Sequence, residues 1–317
     1  MKNISIIGAG QLGSRHLQGL MTAQTEMNIW VVDQSLDSLN TAKERCEQVS
    51  PITVKNVNYS KSIEELPTCL DLVIVATGSK PRASIVKALL EHSTVKYLVL
   101  EKFLFMRLSD FDEIANLLSE KNVKCWVNCP RRMWPAYEEI KKVVNPDEPV
   151  VMINNGKNWG LCCNSVHRID IWMYLAGDCD FTVDLDQVEP QIIESKRSGY
   201  VELLGTERFV SCNGDKLELG SFVDYEGSTG RIIRNAGNEI VVEEENNLWY
   251  FNGERHEVTT PFQSGLTGIL ADKILTTGDC RLSPYSVSVK YHKPYLKAVI
   301  DFVNRIQGTM NDSCPIT

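Results

Sequence analysis

The sequence has no CxxC pair: its ten cysteines are scattered along the chain, so neighbouring thiols offer neither a zinc knuckle nor a redox dithiol. Cys125 and Cys129 come nearest, but they lack a companion pair of ligand type, and the expected metal complement is none. Thiols so dispersed suit a reducing compartment, where Cys serves as a small buried hydrophobe. Long apolar runs are also missing. Met1 and Lys2 lead directly into "NISIIGAG", too short for a signal core or a membrane span, so the expectation is a cytoplasmic protein without membrane attachment. Positive charge is not in excess: 33 basic residues face 41 acidic ones, a net charge of -8 that argues against a broad nucleic-acid surface. There is no internal repeat and no low-complexity linker. The longest acidic run, Glu243 to Glu245, reads as a solvated strand end or turn.

What is present is an ordinary globular composition, 43% hydrophobic over 317 residues, enough for two cores. Residues 1–125 alternate uniformly apolar strands ("ISIIG", "NIWVVD", "DLVIVATGS", "KYLVLEK") with helical patterns, one of them capped by Ser35. Strands apolar on both faces and separated by helices predict a parallel sheet covered on both sides. Residues 126–317 change rhythm to strand-like stretches with Gly, Asn and Asp turns, interrupted by "HRIDIWMYLAG" and a late helix, "VSVKYHKPYLKAVIDFVNRI". The expected fold class is α/β: a doubly wound Rossmann sheet, then an α+β domain with a mostly antiparallel sheet.

"IIGAGQLGSRHLQGL" opens the first domain. Gly8, Gly10 and Gly13 fit G-x-G-x-x-G, with Gln11 and Leu12 between the second and third glycines. The first glycine permits a tight turn, the second lets a pyrophosphate approach the backbone, and the third allows helix and strand to pack closely. The following helix start offers free N–H groups to phosphate. Asp33 ends the second strand, 20 residues after Gly13, where a carboxylate accepts ribose hydroxyls and repels a 2′-phosphate. NAD is expected in preference to NADP.

Three later stretches can carry chemistry. Glu101 and Lys102 lie at the carboxyl end of a parallel strand, where ligands of such sheets collect; they also read as a solvent-facing pair. "NCPRRMWP" places Asn128, Arg131 and Arg132 at the change of domain, either lining a pocket or covering a hinge. "CCNSVHRID" sets His167 three residues before Asp170, a spacing that shares a helix face and suits a base held by a carboxylate. Arg231 and Arg234 in "TGRIIRNAG" suit a carboxylate or phosphate as well as an exposed hairpin.

In this order the motifs resemble the Gfo/Idh/MocA family of sugar and cyclitol oxidoreductases, with "GAGQLGSRHLQGL", "VIVATGS", "LEKF", "NCPRRMWP" and "HRIDIWMYLAG" spread over the whole chain. The resemblance implies a nicotinamide cofactor held by Gly8, Gly10, Gly13 and Asp33, with Ala76 and Thr77 lining its path and Glu101 nearby. It implies Lys102 on the reacting hydroxyl, His167 as the acid/base, Asp170 binding substrate hydroxyls or orienting the site, and a homodimer or homotetramer. Asn128, Arg131 and Asn164 are the expected substrate contacts. Phe103 stands where relatives commonly have Pro, often after a cis bond, and Cys163 where they often have Asp.

The function expected is hydride transfer between NAD and a hydroxyl carbon of a small-molecule sugar or sugar derivative, in surface-polysaccharide metabolism among other settings. Two alternatives remain: a redox-neutral epimerase or eliminase, and a non-catalytic nucleotide or sugar sensor.

Overall fold

The computed structural model describes residues 1–317. In chain order the elements are β1 (Lys2–Ile7), α1 (Gln11–Leu20), β2 (Met27–Val32), α2 (Leu36–Glu47), β3 (Val54–Ser60), β4 (Cys69–Val75), α3 (Ser79–His92), β5 (Thr94–Glu101), α4 (Leu108–Glu120) and β6 (Lys124–Asn128). There follow α5 (Pro135–Val143), β7 (Val151–Lys157), α6 (Leu161–Ala176), β8 (Phe181–Val188), β9 (Ile193–Glu194), β10 (Val201–Glu202), β11 (Gly205–Ser211) and β12 (Lys216–Phe222). The last are β13 (Arg231–Asn235), β14 (Asn238–Glu243), β15 (Leu248–Phe251), β16 (Glu254–Glu257), α7 (Gln263–Thr277), β17 (Ser283–Pro284) and α8 (Tyr285–Gln307).

The chain forms two compact units. The first comprises 1–105, 109–128 and 261–285. Its sheet runs β17-β6-β5-β4-β1-β2-β3, with six parallel strands and only β17 antiparallel. Ile4, Ile6, Leu72, Ile74, Leu98 and Leu100 are fully buried, which requires helices over both faces and explains the unbroken apolar runs. The strand order reverses between β1 and β4, where open α/β sheets open a crevice beyond their carboxyl ends. Register aligns those ends: Ile7 pairs with Val32 and Val75, Val75 with Leu100, and Glu101 with Asn128.

Helix α2 is capped as expected, Ser35 accepting the Ser38 N–H. Helices α1 and α7 meet at small residues: a Cβ on Gly19 would lie 2.8 Å from Thr267 Cβ, and one on Gly268 would lie 2.7 Å from the Gly19 carbonyl. The sequence pattern predicts no helix at α7. Its Gly265, Gly268 and repeated threonines are poor helix formers, and packing on α1 offsets that.

The second unit comprises 106–108, 129–260 and 286–317. Its eight-stranded sheet runs β16-β15-β14-β13-β7-β12-β11-β8, antiparallel except at β7–β12. Both halves of the expected fold class are therefore present. Side chains alternate along each strand: Met152, Asn154, Leu217, Leu219 and Ile233 are buried, while Val151, Ile153, Ile232 and Val241 keep partial exposure. Helix α6 packs on β12, and Trp172, Phe181, Phe209 and Tyr295 form an aromatic chain with centroid spacings of 6.0, 5.9 and 6.1 Å.

Candidate functional site

Sequence dictates the shape of the glycine loop. Gly8 has φ +96, and a Cβ there would meet the Ala76 carbonyl carbon at 2.9 Å. A Cβ on Gly13 would fall 1.7 Å from the Gly8 carbonyl oxygen, so only glycine lets α1 start this close to β1. At Gly10 a Cβ would meet nothing within 4 Å, and Gly10, Gln11 and Leu12 are exposed. The start of α1 has no side-chain cap and no acidic residue in its first turn, so its amides and dipole stay available to an anion. Beside the loop the Thr77 hydroxyl is buried without a hydrogen-bond partner. An open glycine, uncapped amides and an orphan hydroxyl at the switch point fit a dinucleotide.

Asp33 closes the loop from β2. Its Oδ2 accepts the Ala9 N–H at 2.7 Å and its Oδ1 the Ser35 N–H at 2.8 Å. Arg45, which sequence reasoning passed over, reaches from α2 to the Gln11 carbonyl at 3.0 Å and to Ser14 Oγ at 2.6 Å. Nothing in its spacing marks it, because only the packing of α2 on α1 brings it there.

At the end of β5, Glu101 is 3% exposed and bound from two sides. His16 Nε2 lies 2.8 Å from its Oε1, and Asn128 Nδ2 donates to the same oxygen. Thr267 Oγ1 holds the other imidazole nitrogen at 3.0 Å, and Gln263 joins Asn128 to Thr267 at 3.0 and 3.1 Å. Glu101 is thus no solvent-facing partner of Lys102, and Asn128, 2% exposed, orders this network. Lys102, partly exposed, follows directly, and the Lys102–Phe103 peptide bond is cis, as the resemblance to Pro-bearing relatives left open. Arg82 of α3, also unforeseen, is buried and donates to the carbonyls of Thr77, Phe103 and Leu104, tying the turn after β4 to the segment after β5.

In the second unit, α6 is buried toward its amino end except at four residues, Cys163, Asn164, His167 and Arg168. Their spacing puts them on one face. Gly160, at φ +80, starts the helix, and Glu202 accepts the Cys162 and Cys163 N–H groups at 2.7 and 3.2 Å in place of a local cap. Asn164 Nδ2 binds the Trp159 carbonyl at 2.8 Å. Asp170, three residues after His167, is fully buried, and its Oδ2 accepts from Arg132 Nε at 2.9 Å. Of the two roles expected for it, orienting is the one this placement suits.

Arg131 and Arg231 converge on Glu244. Arg131 binds it in two parallel bonds of 2.9 Å, Arg231 Nη1 adds another, and Tyr137 donates at 2.8 Å. The two guanidiniums hold the Glu244 carboxyl far below the usual carboxylate range, against the opposing effect of burial. The acidic run expected to be a solvated turn is therefore anchored at its centre: Glu244 begins the 3₁₀ turn Glu244–Asn246, and only Glu245 and Asn246 are exposed. Arg234, three residues from Arg231 and so on the other face of β13, pairs instead with exposed Glu239 at 2.9 Å.

Comparison with known proteins agrees with this architecture. Residues 2–129 match the model of the Gfo/Idh/MocA family, described as "Oxidoreductase family, NAD-binding Rossmann fold". By fold the chain is similar to UDP-N-acetylglucosamine 3-dehydrogenase from Acidithiobacillus ferrooxidans, with TM-score 0.69 and 14% identity over 96% of this chain and 98% of that one. It is similar to an oxidoreductase from Agrobacterium radiobacter in complex with NAD+, L-tartaric acid and magnesium, with TM-score 0.69 and 12% identity over 95% and 96%. It is also similar to biliverdin reductase from Synechocystis in complex with biliverdin and NADP+, with TM-score 0.67 and 14% identity over 96% and 98%. At these identities the likeness establishes a shared fold alone. No curated protein matches the chain in sequence. No helix is long and apolar enough to cross a membrane.

Proposed function

We propose that the protein is an enzyme that transfers a hydride between NAD and a hydroxyl-bearing carbon of a sugar or sugar derivative. The observation that carries this reading is the switch-point loop, whose open Gly10, uncapped α1 amides and orphan Thr77 hydroxyl suit a dinucleotide, with Asp33 closing it. When bound, the nicotinamide supplies the hydride chemistry, which no side chain can.

The chain supplies binding, orientation and proton handling. In this proposal Gly8, Gly10, Gln11, Leu12 and Gly13 hold the pyrophosphate, Asp33 accepts ribose hydroxyls, and its charge selects NAD over NADP. Ala76 and Thr77 line the onward path, and Glu101 acts through His16 and Asn128 to fix the strand end that carries Lys102. Lys102 stabilises charge developing on the reacting oxygen, and His167 takes its proton. Asp170 orients this part of α6 through Arg132, and Asn164, on the His167 face, binds a substrate hydroxyl. Residues 1–125 serve as the NAD-binding domain and 126–317 as the domain for substrate and oligomerisation. The half-exposed apolar residues Val151, Ile153, Ile232 and Val241 on one sheet face support a homodimer or homotetramer. Residence in the cytoplasm and a place in surface-polysaccharide metabolism complete the reading.

The test is turnover with NAD and a panel of free, phosphorylated and nucleotide-linked sugars. Reduced nicotinamide should form with at least one sugar, and His167→Ala should slow its formation by about 10²–10⁴-fold. NAD binding without reduction anywhere in the panel contradicts the reading; an isomerised or eliminated sugar among the products then indicates the redox-neutral enzyme, and no product at all the sensor.

A further inference from the structure

Arg168 shares the α6 face with Asn164 and His167 and has no role in the proposed function. Its guanidinium lies 4.5 Å over the Trp159 ring, and its hydrogen bonds go to neutral acceptors, Asn154 Oδ1 at 3.3 Å and the Asn164 carbonyl at 3.5 Å. Asn154 Oδ1 also takes Arg231 Nη2 at 3.1 Å, so this one amide oxygen links the two arginines. Arg231 is 3% exposed, and its Nε has no hydrogen-bond partner. Glu244 is fully committed to Arg131, Arg231 and Tyr137. The neighbouring Arg132 is matched separately, by Asp170 at 2.9 Å and Asp178 at 3.5 Å.

Arg131, Arg168 and Arg231 therefore share a single carboxylate. Charges drawn away from water are normally paired, because desolvating an ion without a partner is unfavourable. Burial and the nearby Arg131 charge push the Arg168 guanidinium down to about 9, although Glu244 opposes this. It remains a cation at neutral pH and lacks an anion of its own.

We propose that Arg168, backed by Arg231 and Arg131, binds a carboxylate or phosphate carried by the substrate, one helix position from His167. This deepens the proposed function and rests on it: the sugar is an anionic one. A guanidinium placed 4.5 Å over the Trp159 ring, with Asn154 fixing one edge, presents its remaining N–H groups to such an oxyanion. A neutral sugar would leave the charge uncompensated.

Calorimetric titration of the protein with D-glucuronate, D-glucose 6-phosphate and D-glucose tests this without relying on turnover. One of the two anions should bind at least about tenfold more tightly than glucose, equivalent to 1.4 kcal/mol. Whichever binds identifies the group as carboxylate or phosphate. Arg168→Gln should abolish the preference, and Arg168→Lys should restore part of it, with circular dichroism confirming that both variants fold. Equal affinity for all three sugars, or a preference that survives Arg168→Gln, overturns the proposal. Anion binding lost in Arg168→Gln, without nicotinamide reduction, leaves the anion site standing and removes the hydride reading. Reduction with neutral glucose alone does the reverse.

Discussion

His16 Nε2 and Glu101 Oε1 stand 2.8 Å apart, with side chains 0% and 4% exposed, joining the first helix of the first unit to the end of its fifth parallel strand in sheet order from β3. Removing one partner of a buried pair strands the other. His16→Ala should therefore destabilise the protein by about 3–5 kcal/mol. Urea unfolding of His16→Ala, Glu101→Gln and the double variant should show strong coupling. Additive losses would mean that the two groups do not act as a pair.

Arg82 gives a second, independent constraint on the same strand end. Replacing its guanidinium with Met leaves the buried carbonyls of Thr77, Phe103 and Leu104 without this donor. The expected loss is about 2–4 kcal/mol, from more than one unsatisfied acceptor. Arg82→Lys should recover only part of it, because an ammonium cannot reach both strand ends as the planar fork does. Full recovery in the urea midpoint would show that charge alone suffices.

Asp33 sets the expected cofactor preference. Asp33→Ser removes the negative charge while keeping a short polar side chain beside the Ala9 amide. NAD affinity should fall and NADP affinity rise, moving their ratio by at least about tenfold. An unchanged ratio by fluorescence titration would place the discrimination elsewhere, with Arg45 the nearest cation on α2.

Glu207 predicts a pH dependence. It is fully buried, accepts from Ser165 at 2.6 Å and Tyr295 at 2.7 Å, and burial raises its carboxyl from 4.5 to about 7. The folded state thus holds the proton more tightly than the unfolded chain. Stability is full below pH 4.5 and declines as pH rises toward 7, by about 3 kcal/mol for a shift of this size. Glu207→Gln should flatten that part of the stability profile relative to the unsubstituted protein. Parallel profiles would contradict the assignment.

The two sheets could be read from the sequence because their signals are local. Apolar runs such as Leu72 to Val75 have nowhere to go but between two helix layers, and Gly13 can only be glycine where its Cβ position lies 1.7 Å from the Gly8 carbonyl. Helix α7 escaped notice because Gly265, Gly268 and its threonines obscure the pattern, and its stability comes from α1. Candidate residues such as His167 and Asp33 stand out in the sequence because one motif carries each, whereas pairings between residues distant in sequence do not. Glu244 looked like part of a solvated turn until Arg131, 113 residues away, and Arg231 were brought to it. Glu101 and Asp170 looked available for chemistry, but their carboxylates are taken up by His16 and Arg132.

The most direct test of the central claim is transfer of the hydrogen itself. Sugars deuterated at their ring carbons would be incubated with the protein and NAD, and the nicotinamide analysed by mass spectrometry. The account predicts deuterium in the nicotinamide from at least one sugar, and its loss in Lys102→Ala and His167→Ala. Demonstrated NAD binding with no deuterium transferred from any sugar would contradict it.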